Sequence, residues 1–362
     1  MMKRSHKSTD IVPKNTDSPV IANGILLEDI RGLIESAKSR FAQTANAALV
    51  TLYWNIGNRI KTDILGNERA QYGKEIVSAL SRQLTTEYGA GFSDKTLRHM
   101  IRFAEVYPDE QIVSALQRQL SWTHFKEIIY IDDQLKRGFY AEMCRVERWS
   151  TRTLHDKIQG MLYERTAISR KPAELARQEL DSLRNDDRMT PDLVFRDPYL
   201  LDFLGLSDTY SERDLESAIL KELERFLLEL GTDFSFVARQ KRITIDNEDY
   251  YLDLLFYHRG MRCLVAIELK LGKFQAADKG QMELYLRWLD KYEKRESEEM
   301  PLGLILCAEK SYEHVELLRL EESGMYVTEY LTDLPPRRLL EAKLHEAIRM
   351  AREQIAVREG AE

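Results

Sequence analysis

Cysteine is nearly absent from this chain, with three residues in 362, at positions 144, 263 and 307. They lie far apart and form no CxxC pair, which excludes a disulfide scaffold and a thiolate zinc site. They read as buried free thiols of a reducing cytoplasm. No apolar run approaches the roughly 18 residues of a membrane span, so no membrane contact is expected. Residues 1–24 are polar, lack the apolar core of a secretory signal and read as a disordered arm. There is no P-loop, GxGxxG or GxSxG motif and no internal repeat, which removes the common nucleotide-binding, serine-hydrolase and solenoid readings. The net charge of −7 argues against a protein that coats nucleic acid. A local basic face stays open. The chain is 43% hydrophobic and 31% charged, and it is long enough for two domains with cores of their own.

The first half reads as helical. In Ile25–Leu65, residues Leu49, Leu52, Tyr53 and Ile56 share a stripe. Tyr72–Tyr88 places Ile76, Val77, Leu80 and Leu84 inward. Gly89-Ala-Gly-Phe92 stops that helix, Ser93 caps the next, and Pro108 ends it. Helix, short turn, helix is the helix-turn-helix pattern. Lys95, Arg98, His99 and Arg102 then fall at i, i+3, i+4 and i+7 on one face, which suits a major groove. An ordinary helical hairpin with a wet basic face has the same pattern. Between Arg145 and Arg177, eight Lys/Arg against four Asp/Glu give a local balance of +4. That segment is either a solvated surface or a phosphate-contacting one. The spans expected are 25–167 for the helical, nucleic-acid-binding domain, 168–192 for a linker, helical over Ala173–Leu183, and 193–362 for the second domain.

The second half alternates strand and helix. The order is a helix over Ser211–Leu230, strands over Phe234–Ile245, Asp249–Tyr257 and Arg262–Leu271, and a helix over Phe274–Tyr292. A buried strand Pro301–Cys307, a helix Glu313–Glu321, a strand Gly324–Tyr330 and a long helix Pro335–Val357 follow. Within it lies the most informative stretch. Cys263-Leu-Val-Ala-Ile267 is a buried strand that ends in Glu268-Leu-Lys270, and the preceding strand carries Asp253 in its middle. Alternation puts Glu268 and Lys270 on one face, and a hairpin brings Asp253 to them. Two carboxylates and an ammonium in one pocket suit a divalent cation held by hard oxygen ligands. A buried ion-pair triad is the competing reading, although such triads seldom add stability over apolar packing.

Asp253 followed fifteen positions later by Glu268-x-Lys270 resembles the PD-(D/E)xK nuclease signature. Phe226-Leu-Leu-Glu-Leu-Gly231, Asp253-Leu-Leu-Phe-Tyr257, Ile267-Glu-Leu-Lys270 and Gly280-Gln-Met-Glu-Leu-Tyr-Leu286 together resemble the YhcG-like family of bacterial proteins, read as nucleases of that superfamily. The resemblance runs from about Leu27 onward. The proline that often precedes the first acid is Leu252 here. The resemblance implies a multidomain chain. A mostly α, winged-helix-like N-terminal domain precedes an α/β restriction-endonuclease-like C-terminal domain.

It also implies that Asp253, Glu268 and the Leu269 carbonyl ligate Mg²⁺ or Mn²⁺, and that Lys270 orients water or stabilises developing charge. Gln281 and Tyr285, at i and i+4 on the next helix, would border the metal pocket. Glu216 is preferred over Glu222 as the first-helix acid. Gln240 is placed near the site by the family's recurring Arg-Gln. The implied function is a metal-dependent endonuclease of the cytoplasm acting on nucleic acid, most readily DNA, and targeted by the helical domain. Two readings compete with it. One is a DNA-binding or complex-forming protein whose nuclease fold is inactive on its own. The other is a defence or mobile-element effector that needs a second copy of itself or another protein.

Overall fold

The computed structural model describes residues 24–65, 70–206, 210–231, 233–332 and 335–359. The expected arm lies outside these residues except for Gly24, which opens the first helix. The first half is helical throughout. Its elements are α1 (Gly24–Leu65), α2 (Ala70–Tyr88), α3 (Asp94–Val106), α4 (Glu110–Leu116), α5 (Trp122–Ile128), α6 (Gln134–Val146), α7 (Thr151–Gln159) and α8 (Leu162–Arg165). Gly89, at φ 91, leads from α2 into one 3₁₀ turn, and the Ser93 hydroxyl then caps α3 by accepting the Thr96 N–H. Leu97, Met100, Phe103 and Ala104 of α3 are fully buried. Helix α1 crosses α3 so closely at Gly57 that a Cβ there would fall 1.9 Å from the Met100 carbonyl oxygen. Only glycine fits that crossing.

The segment expected as a linker carries a helix where 173–183 is expected to be helical, and that helix is packed. Helix α9 (Ala173–Asp186) buries Ala176, Leu180 and Leu183 beside α6, and α10 (Pro191–Val194) follows. The charge balance of the Arg145–Arg177 segment is only in part a surface property. Arg145 binds Glu142 and Asp187, Arg170 binds Asp197, Lys171 binds Glu179, and the Arg165 side chain is only 2% exposed. These cations are held by acids of the protein, while Arg148 and Arg152 of the same segment stay exposed.

The second half comprises β1 (Tyr199–Leu200), α11 (Glu212–Lys221), α12 (Leu223–Leu230), β2 (Phe234–Ile245), β3 (Glu248–His258), β4 (Cys263–Lys273), α13 (Ala276–Tyr292), β5 (Leu302–Glu309), α14 (Tyr312–Leu317), β6 (Met325–Leu331) and α15 (Arg337–Glu359). The helix expected over 211–230 is two helices that meet at Glu222. The six strands form one sheet in the order β1-β6-β5-β4-β3-β2. Pairing is parallel from β1 to β4 and antiparallel through β3 and β2. One face, with Leu254, Ile267 and Leu306, packs with Phe226 of α12 and continues into the core of the helical half. The other face, with Leu255, Ala266 and Ile305, packs on Met282, Tyr285 and Leu289 of α13. All three cysteines are buried free thiols, as their apolar contexts predict.

A buried charge cluster fastens the two halves. Arg165 of α8 donates to Glu229 of α12 and to the Pro198 carbonyl, and Arg196 approaches the same carboxylate at 3.3 Å. Glu229 also accepts the Leu200 N–H. Burial raises its pKa, but the guanidinium groups of Arg165 and Arg196 outweigh this and hold it at about 2, below the ordinary glutamate value of 4.5. A depressed carboxyl stabilises the fold fully above its unfolded pKa, and that contribution is lost as pH falls from about 4.5 toward 2. Glu229→Gln should therefore cost about 3–5 kcal/mol at neutral pH, because it strands two buried arginines. Urea unfolding across pH should also show a shallower acid decline in the variant than in the native chain. Equal stabilities at pH 7 would remove this cluster from the account of the joint.

Candidate active site

The site begins where a β-ladder ends. Strands β3 and β4 pair from His258 with Cys263 to Leu254 with Ile267. One position further, the Asp253 carboxylate accepts the Leu269 N–H at 2.9 Å. A side chain has taken over the role of a main-chain acceptor. The N–H and C=O of a strand residue lie on the same side of the strand, so the Leu269 carbonyl opens onto the same gap. Alternation along β4 places Glu268 and Lys270 with Leu264 and Ala266 on the α13 face. Lys270 Nζ donates to Glu268 Oε1 at 3.2 Å.

The remaining candidates join through contacts of their own. From α13, the Gln281 amide donates to Glu268 Oε1 at 3.2 Å and to the Tyr285 hydroxyl at 2.7 Å. The Tyr285 hydroxyl donates to the Tyr251 carbonyl at 3.3 Å. From β2, the Gln240 amide donates to Asp253 Oδ1 at 3.0 Å and to Glu216 Oε2 of α11 at 2.9 Å. Gln240 does this from a left-handed backbone, φ 43, inside a strand. For a residue with a side chain that conformation costs about 1–3 kcal/mol and persists only where its surroundings enforce it. The structure thus brings Glu216, Gln240, Asp253, Glu268, Lys270, Gln281 and Tyr285 into one network. Glu222 is not part of it; it pairs with Arg225.

Glu212 was not anticipated. It accepts the Leu271 N–H at 3.3 Å, and its charge helps raise the Lys270 pKa. Its signal in the sequence is its i, i+4 relation to Glu216 on α11.

Electrostatics mark the pocket. Burial, and then the Asp253 charge, push the Glu268 carboxyl up to about 7 despite the nearby Lys270. Burial raises Asp253 as well. For Lys270, burial works against the ammonium, but Glu268 outweighs it and holds the pKa above the usual lysine value. Two carboxylate oxygens, Glu268 Oε2 and Glu216 Oε1, are buried with no hydrogen-bond donor among the described residues. An unsatisfied buried acceptor is costly unless something binds it. Among the described residues, no three His, Cys, Asp or Glu side chains form a ready-made metal cluster. A set built on two carboxylates and a backbone carbonyl still fits a hard divalent cation, which is often held by only one or two carboxylates.

The second candidate face is on α3. Lys95, Arg98, His99 and Arg102 share one side of the helix. Arg98 is paired with Asp94 at 2.7 Å and Arg102 with Asp132 at 2.8 Å. Arg102 also donates to the Ile129 carbonyl. His99 contacts the Tyr130 hydroxyl at 2.7 Å, and burial, followed by Lys126 and Lys95, holds its pKa below the usual histidine value. Much of the expected charge is already matched within the protein.

Residues 192–345 match the YhcG PDDEXK nuclease domain, and residues 29–165 match the DUF1016 N-terminal domain. The chain is 33% identical over 344 residues to the Escherichia coli (strain K12) protein named "Putative nuclease YhcG", covering 86% of this chain and 91% of that one. The chain belongs to the YhcG family of PDDEXK nucleases. Nucleases of this type generally use divalent metal ions. Two solved structures align with about half of their own length. A repair endonuclease from Pyrococcus abyssi is 23% identical, with a TM-score of 0.25 over 36% of this chain and 50% of that one. An EndoMS–dsDNA complex is 18% identical, with a TM-score of 0.27 over 36% and 48%. Overlap at that score does not define a common fold.

The opposed influences on Glu268 give a two-way test. Lys270→Met should raise the Glu268 pKa above about 7 by removing the cation that favours the carboxylate. Asp253→Asn should lower it by removing a like charge. Carbon-13 NMR titration of labelled glutamate in metal-free protein reads both. Shifts of the same sign would show that the three groups do not share one pocket.

Proposed function

We propose that this member of the YhcG family is a divalent-metal-dependent endonuclease of the cytoplasm that hydrolyses phosphodiester bonds in DNA. What carries this reading is the Glu268 Oε2 oxygen, buried without a hydrogen-bond donor among the described residues, beside Asp253 and a lysine already in contact with Glu268; Glu216 Oε1 likewise has no donor within hydrogen-bond reach, Arg239 standing 3.8 Å away. Asp253, Glu268 and the Leu269 carbonyl would hold Mg²⁺ or Mn²⁺. When bound, such an ion supplies charge neutralisation at the phosphate and an acidified water. Lys270 carries its ammonium at the mouth of the pocket, 21% exposed, where it can orient the attacking water or face the charge that develops on the phosphate. Gln240 fixes the separation of Asp253 and Glu216. Gln281 and Tyr285 fix Glu268 from the other side, so the carboxylates are held in place before substrate arrives. The helical half, through Lys95, Arg98, His99 and Arg102, would supply contacts to the nucleic-acid backbone.

Lys270→Ala should lower cleavage of a DNA panel in Mg²⁺ or Mn²⁺ by about 10²–10³-fold while leaving substrate binding nearly intact. Cleavage at the native rate would sink the catalytic assignment. If the native chain cleaves nothing, the reading as an assembly component with an inert nuclease fold is the better one.

Neutralising Lys95, Arg98 and Arg102 together should flatten the salt dependence of DNA binding. A full phosphate contact is worth about 0.9 of log–log slope. Lys95 should contribute nearly that, and the two acid-paired arginines less. An unchanged slope would place the contact elsewhere on the protein.

A further inference from the structure

Helix α1 is covered along one side in its second half only, and an apolar stripe on the opposite side is left open. Val50, Trp54 and Gly57 are buried on the side that meets α3 and its neighbours. The opposite side carries Leu27, Ile30, Ile34, Phe41 and Leu52 along one face, with Leu33 at its edge. Every residue from 27 to 45 is exposed, including Phe41 at 77% and Leu33 at 69%. The stripe is about 37 Å long at the α-helical rise. These half-exposed side chains present on the order of 600 Å² of apolar surface, the upper end of what a monomer leaves uncovered. With the flanking stems, that approaches the roughly 800 Å² per partner of a standard protein interface.

We infer that this face of α1 is a homodimer interface, occupied by α1 of a second copy in antiparallel orientation. The inference goes beyond the nuclease reading and does not depend on it. Its first support is the spacing of large and small side chains. An antiparallel pair centred near Ser39 sets Phe41 over Ala37 and Ile30 over Ala48 of the other helix, and brings Leu27 near Leu52. Each bulky group then meets a small one, or lies at an end where two large ones stack.

Its second support is extent. The exposed stripe runs from Leu27 to Leu52, and a second copy of the same helix covers that length end to end. Charge does not choose the orientation: the antiparallel register sets Lys38 beside Lys38 of the other copy, each already neutralised by its own Glu35, and a parallel one sets Lys38 beside Arg40.

The test is the oligomeric state of the full chain. Light scattering at micromolar concentration should give twice 42.3 kDa for the native protein and 42.3 kDa for Ile34→Glu/Phe41→Glu. Circular dichroism should show the variant still helical with a cooperative thermal transition, because both side chains are exposed within one copy; its midpoint should fall to a value independent of protein concentration, as loss of a dimer requires. Oxidation of Leu27→Cys/Leu52→Cys should link two chains, while Leu27→Cys alone should not; the native cysteines are buried. A native monomer, or a dimer that survives the double glutamate variant, overturns the proposal. Linkage through Leu27→Cys alone overturns the antiparallel arrangement. A monomer that loses binding to anionic phospholipid vesicles in the glutamate variant would assign the stripe to a membrane surface instead.

Discussion

The site rests on the parting of two strands. Between Leu254 and Asp253 the β3–β4 ladder stops using main-chain acceptors and uses a carboxylate instead. That exchange makes a gap between two neighbouring strands, and it fixes one oxygen of Asp253 to the backbone of the strand carrying Glu268 and Lys270. The acids cannot drift apart without unpairing a buried N–H. The remaining groups follow from this geometry. Gln240 bends its own backbone to reach Asp253, and α13 packs against the same face closely enough for Gln281 to reach Glu268.

The same ionisable chemistry is used in two opposite ways. Glu229 and Glu268 are both buried glutamates that touch a cation. Glu229 has two arginines and stays ionised far into acid, so it acts as a fixed anion of the fold. Glu268 has one lysine and a neighbouring acid, and its carboxyl is pushed up to about 7. The balance of neighbours, not burial alone, separates a structural carboxylate from one poised to exchange a proton for a cation.

Most of the sheet and the centre of the site were legible because both rest on short periodicities. Period two along β4 predicts that Glu268 and Lys270 share a face, and i, i+4 spacing predicts the Gln281–Tyr285 pair. The Gly89 turn and the Ser93 cap announce α3. What was not legible depends on contacts between distant parts of the chain. Arg165 reads as a surface charge until Glu229, sixty-four positions away, is folded against it. Arg98 and Arg102 read as a free basic face, yet Asp132 reaches Arg102 from the loop after α5. Strand β1 has only two residues and pairs with β6 near the end of the chain, so no local pattern marks it. Glu212 was passed over because an exposed acid in the first turn of a helix already has a local explanation.

The stretch between the two family-matched regions, 166–191, belongs to neither, yet it holds some of the most deeply buried residues of the molecule: Thr166, Ile168, Ser169, Ala176 and Leu183. The core that begins at Val50 passes through it to Tyr330 without a break. A cut at either matched boundary would leave an apolar wound on both pieces, each needing the other to close it. For this chain, the borders of the matched modules fall inside one continuous core.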